Sequence, residues 1–121
     1  MHELSVCQAL LQQVNEIARR ERADRVTRIH LRIGPLSGVV PELLEQAFSI
    51  ARAGTLAEQA ELLTEPQPIR VRCSQCGAES DASVSRLVCG VCGDYRTRLI
   101  SGDELLLSSV ELTRAESITT S

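Results

Sequence analysis

The sequence predicts an α+β fold of two helices and three strands, with a small four-cysteine module set between the last two strands. Three observations carry this. Apolar residues recur at helical spacing near the N-terminus, and "VTRIHLRI" at 26–33 alternates like a half-buried strand. Further on, "IRVRCSQCGAESDASVSRLVCGVCGDYRTRLIS" holds two Cys-x-x-Cys-Gly turns in a setting with few long apolar runs.

Along the chain, residues 5–22 read as the first helix. Ser5 and Gln8 fit a capping box, and Leu10, Leu11, Val14, Ile17 and Ala18 form its apolar stripe. The strand that follows puts Thr27, Ile29, Leu31 and Ile33 on one face and Arg28, His30 and Arg32 on the other. "GPLSGVVP" at 34–41 is a loop. Pro41 suits the first turn of a second helix, which runs through Leu44, Ala47, Phe48 and Ala51 and stops near Gly54. Thr55 and Glu58 mark another short capped turn. "AELLTEPQP" at 60–68 is a strand that loses its ladder at the prolines, and "DELLLSSVELT" at 103–113 is the last strand. The expected division is one domain from 1–69 and 102–114, the cysteine module at 70–101, and a loose polar tail at 115–121.

Composition narrows the function. With 43% hydrophobic but only 2% aromatic residues among 121, the core must be aliphatic, and a metal staple would help so short a chain. All 13 basic residues are arginines; against 16 acidic residues the net charge is -3. That balance argues against general nucleic-acid or anionic-membrane binding. Residues 70–98 alone carry a local positive excess, from Arg70, Arg72, Arg86, Arg96 and Arg98 against Glu79, Asp81 and Asp94. No segment approaches the ~20 apolar residues of a membrane span, and the N-terminus has no cationic signal region. The expectation is a cytoplasmic protein with reduced thiols, and five cysteines, an odd number, suit metal ligation better than a disulfide framework.

Cys73-Ser-Gln-Cys76-Gly77 and Cys89-Gly-Val-Cys92-Gly93 are the strongest signals. Two residues between cysteines let both sulfurs face one ion, and the glycine permits the tight turn that aims amides at the thiolates. Two such turns supply the four sulfurs of a closed tetrahedral site, which staples a fold and does not catalyse. Zinc is the expected ion. A rubredoxin-like iron site uses similar ligands, but Tyr95 is the module's only aromatic residue. A thioredoxin-type dithiol needs one such pair, not two. Cys7 stands apart on the first helix and reads as a small core residue.

The chain opens "MHELSVC". The Met1 amine and the His2 amide nitrogen close a five-membered chelate ring, and the His2 amide with its own Nδ1 closes a six-membered one. Three nitrogens then fill three positions of a plane, which suits Ni(II) or Cu(II). A histidine in second place leaves a position for another donor; Glu3 is nearest, and a loop acid or a partner is the alternative. An incomplete site can take a ligand from elsewhere and hand its ion on. His30, the only other histidine, reads as a surface residue beside two arginines.

"MHELSVC", "VTRIHLRIGPLSGV", "GTLAEQAEL" at 54–62, the paired Cys-x-x-Cys motifs and "SGDELLLSSVEL" fall in one order. Together they resemble the HypA/HybF family of hydrogenase-maturation nickel metallochaperones, from Met1 to about Leu112. The resemblance implies two helices on a small, mostly antiparallel three-stranded sheet, with a zinc-ribbon-like module alongside. It implies a nickel site at Met1, His2 and Glu3 and zinc ligands at Cys73, Cys76, Cys89 and Cys92. It also implies a HypB-type GTPase and the [NiFe]-hydrogenase large subunit as partners, with urease maturation served by some members. Many relatives carry an acid just before the second helix; here that position is Val40, and Glu42 is the closest acid.

No phosphate loop, open metal position or nucleophile–base pair points to an enzyme. The competing reading is a zinc-ribbon interaction or nucleic-acid module, favoured by the local positive charge and opposed by the acidic whole and the lack of stacking aromatics.

Overall fold

The computed structural model describes residues 3–114; Met1, His2 and the expected tail at 115–121 lie outside the described residues. The elements run α1 (Glu3–Arg20), β1 (Arg25–Ile33), α2 (Pro41–Ala51), β2 (Glu61–Pro66), β3 (Arg70–Cys73), β4 (Glu79–Asp81), β5 (Thr97–Ser101) and β6 (Leu105–Thr113). They form two three-stranded sheets, ordered β2-β1-β6 and β4-β3-β5.

Helix α1 is already formed at Glu3, so Ser5 and Gln8 lie within it and do not make the expected capping box. Its buried face is Cys7, Leu10, Leu11, Val14 and Ala18. The helix ends on Arg22, which adopts a left-handed φ of 57°. There the Arg22 amide donates to the Arg19 carbonyl at 3.1 Å and the Ala23 amide to the Ala18 carbonyl at 2.8 Å. This is the Schellman pattern, normally closed by glycine. Helix α2 starts on Pro41 and buries Leu44 and Phe48 against α1. Each such aliphatic or aromatic side chain contributes about 1.5–3 kcal/mol through burial.

Strand β1 buries Val26, Ile29, Leu31 and Ile33, while Arg28 and Arg32 stay exposed. The Asp24 amide donates to Thr113 and the Gly34 amide to Glu104, so β1 and β6 run antiparallel. Arg28 pairs with Glu61 and Arg32 with Glu65, an equal step along both strands, so β1 and β2 run parallel. The sheet is therefore mixed, and α2 supplies the crossover that a parallel pair requires. His30 Nε2 lies 3.0 Å from Glu111 Oε2 and Arg28 Nη1 lies 3.1 Å from Glu111 Oε1, which tie the polar face of β1 to β6. The strand expected at 60–68 ends at Pro66, as the missing proline donors dictate.

The chain divides into two compact units. Among the described residues, one holds 3–31, Val40–Thr64 and 107–114; the other holds Arg32–Val39 and Glu65–Leu106. The second unit thus takes in the loop after β1 as well as the cysteine region. That loop is bound closely: Leu36 donates to the Gly102 carbonyl at 2.7 Å, and a Cβ on Gly34 would stand 2.1 Å from the same oxygen.

Candidate metal centre

Strand β3 pairs antiparallel with both β4 and β5. Alternation along β3 buries Val71 and Cys73 and exposes Arg72. Cys73 closes the strand and begins the first turn; Cys89 begins the second. The two turns have the same bonds. Gly77 donates to the Cys73 carbonyl at 3.0 Å and Gly93 to the Cys89 carbonyl at 3.0 Å. Both glycines sit at a φ of 78°, a conformation that side chains resist. Cys73 donates to Ala78 and Cys89 to Asp94, each at 2.9 Å.

These turns aim backbone amides at the first sulfur of each pair. Gln75 and Cys76 point at Cys73 Sγ at 3.3 and 3.4 Å; Val91 and Cys92 point at Cys89 Sγ, each at 3.3 Å. Across the turns, Cys73 and Cys92 sulfurs lie 3.6 Å apart, as do Cys76 and Cys89. All four sulfurs fall within 4.8 Å of one another. A tetrahedral zinc with bonds of about 2.3 Å separates its sulfurs by roughly 3.8 Å, so the donor set fits such an ion. Cys73 and Cys89 are buried, while Cys76 and Cys92 face solvent.

The thiols are electrostatically unequal. The Cys92 and Val91 amides pull Cys89 down to about 6. The Cys76 amide, with Gln75, lowers Cys73. The Asp94 amide also pulls on Cys92, but the neighbouring sulfurs and desolvation outweigh it and push Cys92 up to about 12. Without a cation, four thiolates cannot crowd together; a divalent ion removes that repulsion. Behind the second turn, Arg96 forks onto both Asp94 oxygens, at 3.0 and 2.9 Å. Asp94 is thereby held at about 2 by the Arg96 hydrogen bond. The Asp-x-Arg step after Cys-Gly was the signal for this brace, and it is easily missed.

A sequence model described as hydrogenase/urease nickel incorporation, metallochaperone, hypA matches residues 1–112. The chain belongs to the HypA family. It is 49% identical to the hydrogenase maturation factor HypA of Nitrosospira multiformis over 112 residues, covering 93% of this chain and 97% of that one. It is 43% identical to the HypA of Aquifex aeolicus, with the same coverage. The solution structure of the Ni metallochaperone HypA from Helicobacter pylori superposes with a TM-score of 0.70 at 26% identity, covering 94% of this chain and 99% of that one. The family so described is one of metallochaperones, not of enzymes, and the relatives are named for hydrogenase maturation. Among the described residues no helix is long and apolar enough to cross a membrane.

Of the other residues singled out in sequence, Glu3 lies in the first turn of α1, and its Oε2 accepts a hydrogen bond from the Val40 amide at 3.3 Å. Val40 is the N-cap of α2 and offers no side-chain cap. Glu42 is exposed in the first turn of α2. Met1 and His2 lie outside the described residues. Cys7 is fully buried, its thiol donating to the Leu44 carbonyl at 3.4 Å, and burial followed by the Glu3 charge pushes it up to about 11. It is a core residue.

Proposed function

We propose that this chain is a nickel metallochaperone that binds Ni(II) through Met1, His2 and Glu3 and delivers it for maturation of [NiFe]-hydrogenase. Zn(II), bound by Cys73, Cys76, Cys89 and Cys92, serves as a permanent structural ion. The cargo site takes the Met1 amine, the His2 amide and the His2 Nδ1, and Glu3 supplies a further oxygen or backbone donor. The single observation that supports the reading is the tie between Glu3 and Val40, because it holds Glu3, one of the proposed ligands, beside the start of α2. A chelate built from the residues just before a fixed Glu3 uses donors that exchange protons for metal, which suits loading and release. Amine and amide must lose protons on binding, so affinity rises with pH. A HypB-type GTPase is the partner that drives transfer, the hydrogenase large subunit is the recipient, and urease maturation proteins are further clients. All of this takes place in the cytoplasm.

The test is a nickel titration of two zinc-loaded proteins, one with its native Met1 and one with Gly-Ser placed before it. Tight binding by the native terminus alone supports the chelate. Equal binding by both removes it and leaves His30 or an acidic loop as the site.

A further inference from the structure

A second surface stands apart from the nickel reading. Within the cysteine unit, β5 is the last strand of the order β4-β3-β5 and has no second neighbour among the described residues. Register places Glu79 of β4 opposite Arg72 of β3, and Arg72 opposite Arg98 of β5. The row across the sheet therefore reads acid, arginine, arginine, edge. Glu79 pairs with Arg72. Arg98 is exposed and, among the described residues, faces no carboxylate. By contrast, Arg70 and Arg96 are matched to Asp81 and Asp94. Like charges directly opposite each other destabilise a sheet unless something neutralises them. Beside the pair lies a shallow groove of about 400 Å³ lined by Arg72, Cys73, Ser74, Arg98 and Ile100. Ile100 is 47% exposed there, an apolar side chain two residues along the edge strand from Arg98.

We infer that this edge receives an extended acidic segment of a partner protein, added as a strand beside β5. A carboxylate opposite Arg98 completes the row as acid, arginine, arginine, acid, and an apolar side chain two residues away covers Ile100. Strand addition draws affinity from the free backbone groups of an edge and specificity from alternate side chains. An edge of five residues sets the length of the segment.

The test uses the full-length zinc-loaded chain and an acetylated, amidated peptide of alternating Glu and Val, labelled with an uncharged dye and followed by fluorescence anisotropy. Binding to the native protein is expected at low salt, weakened about tenfold by Arg98→Glu and restored to that variant by a Lys–Val peptide. A proline at the centre of the peptide abolishes binding, because it removes a ladder donor. Amide shifts confined to 97–101 locate the contact, and Arg98→Gln, which removes the charge but keeps a polar side chain, falls between the native protein and Arg98→Glu. The inference is overturned by no binding, by equal binding to Arg98→Glu, or by failure of the charge-swapped peptide. Full competition by inorganic phosphate or by an oligonucleotide also overturns it, leaving a small-anion or nucleic-acid surface. Self-association of the native protein that Arg98→Glu removes, without peptide binding, assigns the edge to a second copy instead.

Discussion

Glu3 and Val40 join the beginnings of both helices: the Glu3 carboxylate, in the first turn of α1, accepts the backbone amide of the residue that caps α2. A carboxylate at a helix N-terminus meets unsatisfied amides and a favourable dipole. Val40 has no side-chain cap to offer, and Glu3 instead satisfies its backbone amide. Replacing Glu3 by Ala should cost about 1 kcal/mol of stability, read as a lower urea midpoint with unchanged slope. No change in midpoint would mean the contact is idle in solution.

The four cysteines predict that zinc loading releases protons. Cys89, lowered to about 6 by its amide bonds, is a thiolate at neutral pH, and Cys92, pushed up to about 12, is not. Cys73 is lowered and Cys76 raised in the same pattern. Zinc requires all four as thiolates, so loading at pH 7 should release protons, those of Cys76 and Cys92 among them. Calorimetry in buffers of different ionisation enthalpy measures this. Acidification should weaken zinc, and chelation should broaden the amide signals of 70–101 as the module unfolds. A release near zero would mean that the sulfurs are already ionised or are not the ligands.

The sequence carried the local features well and the distant ones poorly. The α1 stripe, the alternation of β1 and the two Cys-x-x-Cys-Gly turns are each encoded within a few residues, and each forms. Two things depended on partners far away in sequence. Helix α1 already includes Glu3, whose carboxylate is held by the Val40 amide 37 positions on, so the Ser5–Gln8 pattern misled. The inclusion of Arg32–Val39 with the cysteine unit rests on Gly34 and Leu36 meeting 102–104, which no local pattern announces. The arginine pairing in β3 and β5 likewise needed the register, because composition alone showed only a local excess of charge.

Arg22 offers a stabilising change. It holds a left-handed conformation, φ 57°, in the Schellman turn that ends α1. Such a backbone costs a residue with a Cβ about 1–2 kcal/mol. Arg22→Gly relieves that strain and gives back part of it as unfolded-chain entropy. The net expectation is a gain of about 0.5–1 kcal/mol, seen as a rise in melting temperature. A fall would show that the Arg22 side chain makes a contact worth more than the strain.

Glu111 gives the polar face of β1 a pH dependence. The His30 hydrogen bond and then the Arg28 charge hold its carboxyl below the usual range. A group lowered on folding stabilises the native state above its unfolded value, about 4.3, and that contribution is lost as pH falls through the folded value. Glu111→Gln should therefore be less stable than the native chain at pH 6, with the difference closing below pH 4. Exposure keeps the effect small and salt-sensitive. A difference that persists at pH 3 would assign it to packing and not to charge.

Gly34 is the sharpest steric test. Its ideal Cβ would lie 2.1 Å from the Gly102 carbonyl oxygen and 2.8 Å from the Asp103 nitrogen, both backbone atoms that cannot swing away. Gly102 is itself pinned, with a φ of 120° and Ile69 packed against it. The loop would have to release the Gly34–Glu104 and Leu36–Gly102 hydrogen bonds to accept even one methyl group. Gly34→Ala should cost about 2–3 kcal/mol. Gly38→Ala is the control for that space, since nothing lies within 4 Å of its Cβ and only its φ of 84° resists the change. Hydrogen exchange at the Leu36 amide should rise far more in Gly34→Ala than in Gly38→Ala. Equal protection in the two variants would show that the close approach at Gly102 relaxes without loss, and that the loop after β1 is not fixed by it.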